Sequence, residues 1–187
     1  MKQVLIIIFA VFLVIPAFAQ EQELSKKQQK ALQKQLKKEQ EAEEAEKKML
    51  MVGLMVEHRK FVLEADRLQD SRGNSVDVSS MINFVACDSV NGVVQIGSDL
   101  YIGGNGVGGV TVEGPVANYK YTYNEKNGTY SISYNIRSTI GAYDVRISVF
   151  GEGRAEATVT STWPGRLNYS GYLVPPGVSK VYKGMSY

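Results

Sequence analysis

From Phe61 onward the side chains alternate between apolar and polar, and short segments containing Gly, Asn or Pro interrupt the alternation. A period of two is the period of a β-strand, in which successive side chains point to opposite faces of the sheet. Interruptions at short spacing are typical of hairpins. The pattern predicts a mainly β protein, an antiparallel meander of about eight to ten strands with one apolar face.

The composition of that apolar face bears on how the meander closes. Ala155 and Ala157 are small, whereas Tyr121 and Tyr134 are large, which suggests that the face curves around a filled interior. We therefore expect a closed or nearly closed barrel. A two-sheet sandwich is the alternative, and the sequence does not separate the two.

The dipeptide Asn127-Gly128 predicts a two-residue turn, because Gly accepts and Asn tolerates the positive φ that a type I′ turn requires. Counting back from this turn makes one face of the hairpin aromatic or β-branched and the other face polar. The predicted register pairs Lys126 with Thr129, Tyr123 with Ile132, Tyr121 with Tyr134, and Tyr119 with Ile136.

Three further segments predict reversals of the chain. Asn91-Gly92 predicts a turn, while residues 151–153 (Gly-Glu-Gly) and 163–165 (Trp-Pro-Gly) each predict a three-residue loop. The two loops pair Val149 with Ala155 and Val159 with Tyr169.

A charged segment precedes the strands. Residues 20 to about 59 are mostly good helix formers, so we expect one charged N-terminal α-helix. Its first part has few apolar residues, whereas the part from Met49 onward is apolar enough to dock on a core. The chain therefore divides into a signal peptide (1–19), a charged helical spacer (20–48) and a β-domain with its docking helix (49–187).

The N-terminus has the features of a secretory signal. A basic start and an apolar run from Val4 to Ile15 are followed by small residues, which predicts cleavage between Ala19 and Gln20. The apolar run is too short to span a membrane comfortably, so no integral membrane segment is expected after cleavage. Cys87 is the only cysteine and lies far from the cleavage point. We expect a periplasmic or secreted protein that is not a lipoprotein.

Charge and composition exclude several functions. The residues after Ala19 include 20 basic and 19 acidic side chains, a balance that argues against a nucleic-acid partner. One histidine, His58, and one cysteine are too few for an ordinary metal centre or nucleophilic triad. Residues 104–109 have the glycine spacing of a dinucleotide-binding turn, but a strand pattern follows instead of a helix. We expect no catalytic residue, no cofactor and no metal, and therefore no enzyme.

Carboxylates and tyrosines remain as candidate functional residues. Asp144 and Glu156 fall on the polar face, and a hydrolase using such Asp or Glu residues is the least favoured hypothesis. A buried tyrosine needs a partner for its hydroxyl, so tyrosines on the apolar face either bond within a filled core or line a ligand cavity. The candidates for lining a cavity are Tyr119, Tyr121, Tyr123 and Tyr134.

Three short motifs carry a resemblance to a known family: residues 99–103 (Asp-Leu-Tyr-Ile-Gly), 108–114 and 167–171. Over roughly residues 50–177 the chain resembles a family of uncharacterised exported Bacteroidetes proteins, domain of unknown function 4251. The first motif lacks the proline that the family has there, and no cysteine stands at the cleavage site as it does in lipoprotein members. The resemblance implies a compartment and a domain extent, but no activity.

The function that these features favour is a non-enzymatic envelope protein acting as a binding or structural module. A barrel that carries a small apolar ligand is the alternative. The expected partner is accordingly an unknown envelope protein or a small apolar molecule.

Overall fold

The computed structural model describes residues 26–98, 100, 105–161 and 165–186. The predicted cleavage point, Ala19 and Gln20, lies outside these residues, as does Trp163. The described residues form one helix and nine strands. The elements are α1 (Lys26–His58), β1 (Lys60–Gln69), β2 (Ser75–Asp77), β3 (Phe84–Asp88), β4 (Asn91–Ile96), β5 (Val110–Asn124), β6 (Thr129–Ser138), β7 (Gly141–Val149), β8 (Arg154–Ser161) and β9 (Arg166–Val174).

The predicted helix is confirmed. Residues 26–48 of α1 are exposed, whereas Val52, Met55 and Val56 share one face and are buried. The chain divides into two compact units, Met1–Ala42 and Glu43–Tyr187, and the second contains the last turns of α1 with all nine strands. Among the described residues, no helix combines the length and the apolar character that a membrane span requires.

The strands form one antiparallel sheet that closes on itself. Their order is β2-β1-β3-β4-β5-β6-β7-β8-β9, and β1 also pairs with β9. This last pairing closes a barrel of eight strands, which are β1 and β3 through β9. The short strand β2 pairs with the end of β1 and is not part of the closed ring. The predicted barrel is confirmed, and the sandwich alternative is wrong because the first and last strands of the meander are hydrogen-bonded to each other.

The barrel interior is filled by the inward-facing residues of every strand. Eight strands enclose a space just wide enough for side chains to fill. The largest fully buried side chains include Phe61, Tyr134, Ile147 and Tyr169. Ala155 and Ala157 are buried among them, as the predicted curvature requires.

The last turns of α1 close one end of the barrel. Val52, Met55 and Val56 belong to the same hydrophobic core as the inward residues of the strands. The Tyr119 hydroxyl donates a hydrogen bond of 2.7 Å to the carbonyl oxygen of Val56. The same carbonyl accepts a hydrogen bond of 3.3 Å from the Arg59 amide just after the helix, so the Tyr119 bond is a second one at the end of α1. We call this the helix end of the barrel.

The β7–β8 hairpin has the predicted register. Val149 pairs with Ala155 across a loop of residues 151–153. The Phe150 amide donates to the Arg154 carbonyl at 2.8 Å, and Gly153 has a φ of 84°, which glycine adopts without steric cost. The three-residue loop prediction is confirmed.

The predicted register of the β5–β6 hairpin is wrong by two residues. Asn124 pairs with Thr129, so the loop contains four residues instead of two. Gly128 has a φ of 62°, but Asn127 is not left-handed, so no type I′ turn forms. The predicted faces survive because a shift of two residues leaves each side chain on its original face. Beyond a bulge between Ala117 and Lys120, Ile136 pairs with Val116 instead of the predicted Tyr119.

Two other predicted reversals are displaced. The β3–β4 turn lies at residues 89–90, because Asp88 pairs with Asn91, and Asn91-Gly92 belongs to the strand. Gly92 is needed there for space, since a Cβ at this position would lie 2.7 Å from the side chain of Ile136. The β8–β9 pairing joins Val159 to Leu167, again two residues from the predicted partner.

The C-terminal segment 175–186, which we call the strap, covers part of the outer surface. The Gly184 amide donates to Gln95 Oε1 at 2.8 Å, and Gln95 Nε2 donates to the Tyr182 carbonyl at the same distance. Thr111 also donates to Gln95 Oε1, at 2.9 Å. Gln95 and Thr111 are therefore buried polar residues with their hydrogen bonds made.

An ion pair at the edge of the strap adds to these bonds. Lys183 Nζ lies 2.7 Å from Glu113 Oε2. Hydrogen bonding to Lys183 lowers the pKa of the Glu113 carboxyl. The outward side chains of Gln95 and Thr111 alternate with the inward Val94 and Val112, and the strap removes these two polar residues from water.

We predict that Gly171→Ala destabilises the barrel by about 3 kcal/mol. Gly171 lies in β9 opposite β1, where an added Cβ would be 1.9 Å from the Glu64 carbonyl oxygen, so the closing strands would have to separate. Urea denaturation measures the loss. The matched control is Gly177→Ala in the strap, where no atom lies within 4 Å of the added methyl group. Equal stability of the two variants would contradict tight closure at Gly171.

The two ends of the chain are also expected to differ in their effect on stability. A chain that begins at Met49 should keep the melting temperature of the full-length protein, because the helical residues 26–48 are exposed. A chain that ends at Val174 should melt several degrees lower, because Gln95 loses its partners in the strap. Thermal unfolding followed by circular dichroism compares the two. A large loss on the N-terminal truncation alone would contradict both expectations.

Candidate functional site

The end of the barrel opposite α1 opens into an apolar cavity of about 340 Å³, which we call the barrel mouth. It lies where β4 and β8 end and where β5, β7 and β9 begin. Its volume falls within the range of about 300–1,000 Å³ that is typical of small-molecule sites. The residues that line it are Val94, Ile96, Val110, Val112, Tyr143, Val159, Ser161, Gly165, Arg166, Leu167 and Tyr169.

The alternation of β4 and β5 produces one wall of the barrel mouth. Ile96 pairs with Val110, and Val94 pairs with Val112. Because each pair lies directly across the two strands, all four side chains face the same side of the sheet. Val94 and Val112 are buried, whereas the outer pair, Ile96 and Val110, is 37% and 43% exposed. The wall therefore runs from a buried floor to an open rim.

Two tyrosines, Tyr143 and Tyr169, are among the residues that line the barrel mouth. Tyr169 is fully buried at its floor, and its hydroxyl has no hydrogen-bond partner among the described residues. Tyr143 is half-buried nearer the rim. Burial raises the pKa of both phenols, so both keep their protons at neutral pH. The buried Tyr169 hydroxyl is thus a donor without an acceptor.

The four tyrosines predicted to line a ligand cavity lie elsewhere, toward the helix end. Tyr134 is buried, and its ring stacks on that of Tyr119 with centroids 5.9 Å apart. Tyr119 is half-buried, with the Arg59 guanidinium 5.0 Å above its ring. These two tyrosines join the end of α1 to the barrel core.

Tyr121 and Tyr123 lie further along β5 and are 44% and 39% exposed. The Tyr123 ring packs against Tyr130 at 4.5 Å, and its hydroxyl donates to the Met49 sulfur at 3.9 Å. The structure thus brings Tyr119 and Tyr134 together and leaves Tyr121 and Tyr123 at the surface. Their role in lining a ligand cavity stays a prediction.

The other chemically capable residues do not converge. His58 is exposed at the end of α1, whereas Cys87 is buried in β3, where burial raises the pKa of its thiol to about 11. A thiol with so high a pKa is a poor nucleophile at neutral pH. Asp144 accepts a hydrogen bond from Asn135 on the outer face. Within the described ranges, no three His, Cys, Asp or Glu side chains cluster as metal ligands would.

Two other depressions lie near the barrel mouth or on the outer face. One of about 330 Å³ lies on the outer face and is lined mainly by polar residues of β5, β6 and β7, including Asn135 and Asp144. Another, of about 610 Å³, adjoins the barrel mouth through Ile96 and is also largely apolar, with Leu68, Val76 and Val78 in its lining.

Sequence reasoning missed the residues of the barrel mouth. Val110, Leu167 and Tyr169 carry no local signal that distinguishes them from core residues, because their site exists only where strand ends meet across the barrel. The confirmed β7–β8 register, followed from Val149 away from its loop, reaches Val159 and Ser161 at the open end of the hairpin. This register was the signal in the sequence that pointed to the barrel mouth.

Comparison with known proteins identifies relatives of this fold. The family model described as a domain of unknown function, DUF4251, matches residues 38–173. A crystal structure of a DUF4251 family protein from Bacteroides eggerthii is similar, with 28% sequence identity and a TM-score of 0.62. The similarity covers 75% of this chain and 95% of that one. No curated protein matches the chain.

We predict that Tyr169→Phe leaves the ligand-free protein as stable as the wild type or stabilises it by about 1 kcal/mol, because it removes a buried hydroxyl that has no partner. Tyr134→Phe should behave in the same way. Tyr119→Phe is the control and should destabilise the protein by about 1 kcal/mol, since its hydroxyl bonds to Val56. Urea denaturation measures all three. A loss for Tyr169→Phe as large as that for Tyr119→Phe would mean that Tyr169 is hydrogen-bonded.

Proposed function

The chain belongs to the DUF4251 family, a domain family of unknown function, and from that premise we propose that the protein is an exported, non-enzymatic binding module whose barrel mouth takes up a small apolar ligand. The observation that carries this proposal is the difference between the two ends of the barrel. Val52, Met55 and Val56 of α1 fill the helix end. The opposite end opens into the apolar barrel mouth.

The chemistry of the barrel mouth supports an apolar ligand. Its walls are formed mainly by aliphatic side chains from four different strands, including Val94, Val112 and Val159. Transfer of an apolar molecule from water onto such walls is favourable by about 25 cal/mol for each Å² of apolar surface removed from water. Small barrels of eight strands are known to be wide enough to hold one small ligand.

The placement of the reactive residues supports a function without catalysis. Catalysis by a nucleophile and a base requires the two groups to lie within hydrogen-bonding reach. Cys87 is buried inside the barrel, whereas His58 is exposed at the end of α1, where its carbonyl oxygen accepts a hydrogen bond from the Ser89 hydroxyl. The described residues that line the barrel mouth include neither Cys87 nor His58, and no Asp or Glu.

The N-terminal sequence supports export to the periplasm or beyond. The apolar run and the small residues before Gln20 fit a signal peptide. The exposed residues 26–48 of α1 have almost no apolar surface to bury and are suited to a charged spacer. In this proposal the charged spacer lies between the signal cleavage site and the binding module.

The proposal is tested with N-phenyl-1-naphthylamine, a neutral dye whose fluorescence rises when it leaves water. The wild-type protein should bind the dye saturably, with one site per chain. Val110→Trp should weaken binding at least about tenfold, because the indole fills the rim of the barrel mouth, where Val110 is partly exposed.

Val90→Trp is the matched control. Val90 is 68% exposed in the β3–β4 turn at the helix end, so the same substitution there should leave dye affinity unchanged. Equal binding by the two variants would place the dye outside the barrel mouth. Absence of saturable binding to the wild type would refute the proposed function.

A further inference from the structure

We infer that the ligand of the barrel mouth is a long-chain fatty acid, whose hydrocarbon tail continues from the barrel mouth into the apolar depression beside it. This inference rests on the proposed function and specifies the class of its ligand. Three observations carry it: the two cavities belong to one opening, apolar side chains follow that opening from one cavity to the other, and an arginine lies at its rim.

The barrel mouth and the depression of about 610 Å³, which we call the side depression, lie at the same end of the barrel. The barrel mouth lies among β4, β5, β7, β8 and β9, whereas the side depression is lined from β1, β2, β4 and the residues just before β3. Ile96 lines both cavities. Leu68 of the side depression pairs with Tyr169 of the barrel mouth in the β1–β9 register. The two cavities therefore adjoin around one ring of strand ends.

Aliphatic side chains that are partly open to water follow this ring. Val110 and Ile96 lie at the rim of the barrel mouth, and Val76 of β2 is exposed beside the side depression. Below them, Leu68 and Val94 belong to the hydrophobic core. Exposed apolar side chains that are grouped together mark a binding surface, whereas isolated ones do not. A compact molecule in the barrel mouth would leave Val76 in water, but a chain that reaches the side depression covers it.

The way in which the cavities meet favours a flexible chain. Each cavity has a volume in the range of about 300–1,000 Å³ that is typical of small-molecule sites. Among the described residues, Ile96 is the one that lines both. A ligand that occupies both cavities must therefore pass over this side chain. A hydrocarbon chain can bend there, whereas a rigid ring system of the same volume cannot.

The charges at the opening favour an anionic head group. Arg166 begins β9 at the rim, is exposed, and has no ion-pair partner within the part of the chain that the structure describes. Asp77, which borders the side depression, is already held by Arg67 at 2.9 Å. A carboxylate beside Arg166 would stay in contact with water, so it avoids the desolvation cost of a buried ion while its chain leaves water.

Equilibrium dialysis of decanoate and hexadecanoate tests the length of the ligand. Each methylene group that leaves water raises affinity about fourfold, so the wild-type protein should bind hexadecanoate at least about a hundredfold more tightly than decanoate. Val76→Trp, which places an indole at the side depression, should remove this preference and leave decanoate binding unchanged. Val178→Trp is the matched control, because Val178 is 66% exposed in the strap and lines neither cavity. It should keep the full preference.

Methyl hexadecanoate, the neutral ester, tests the head group. Arg166→Gln should lower the affinity for hexadecanoate about threefold, as expected for one exposed ion pair, and should leave the affinity for the ester unchanged. Lys126→Gln is the control for net charge, since Lys126 is exposed in the loop between β5 and β6. It should alter the affinity for neither compound.

The outcomes separate this inference from the proposed function. Equal affinity for the two fatty acids, a preference that persists in Val76→Trp, or an equal effect of Arg166→Gln on acid and ester would each overturn the assigned ligand and leave an apolar site in the barrel mouth. A protein that sediments as a dimer and binds neither fatty acid would assign the opening to a second copy of the chain and overturn the inference. Absence of dye binding as well would overturn the proposed function.

Discussion

The hydrogen-bonded pairing of β1 with β9 is the constraint on which the rest of the structure depends. It turns an open meander into a barrel, so that the apolar face has an inside to fill. The close approach occurs where Gly171 pairs with Ala65, next to a shift in register between Ala65 and Arg67. A bulge of this kind bends a strand and increases its twist, which is what closing a sheet requires.

Closure leaves a cylinder whose two ends are completed differently. At the helix end, α1 brings apolar side chains to the core, and the Tyr119 hydroxyl donates a hydrogen bond to the carbonyl of Val56. At the other end, the described ends of β4, β5, β7, β8 and β9 surround the apolar barrel mouth. The same eight strands thus enclose both a filled core and an apolar recess. Inward side chains fill the middle of the barrel, whereas an end is filled only where another element, such as α1, covers it.

Much of this architecture could be predicted from periodicity, and the errors have a common physical cause. The alternation of apolar and polar residues shows only which face of the sheet a side chain occupies. A register shift of two residues leaves every side chain on its original face. The β5–β6 and β8–β9 pairings were both displaced by two residues for this reason, whereas Gly153 set the β7–β8 register through its turn geometry. The role of a glycine was also ambiguous in the sequence. Gly92 was predicted to form a turn, but it lies in a strand and provides space for the side chain of Ile136.

The candidate site was harder to foresee than the fold. Tyr119 and Tyr134 drew attention because aromatic residues are dense along β5 and β6, yet their places are explained by the docking of α1. The barrel mouth is assembled from strand ends far apart in sequence, such as Val94 and Tyr169. Only the closed topology brings these residues together, so no local pattern marks them.

The strap has a consequence for the order in which the chain can acquire its structure. Gln95 belongs to β4, but its side chain is completed by Tyr182 and Gly184, which follow the last strand of the barrel. Until residues 182–184 have left the ribosome, the polar surface around Gln95 must stay hydrated, and β1 must wait for β9. Closure of the barrel and docking of the strap are therefore late steps for this domain, and everything that handles the polypeptide before them meets it with the sheet edge open.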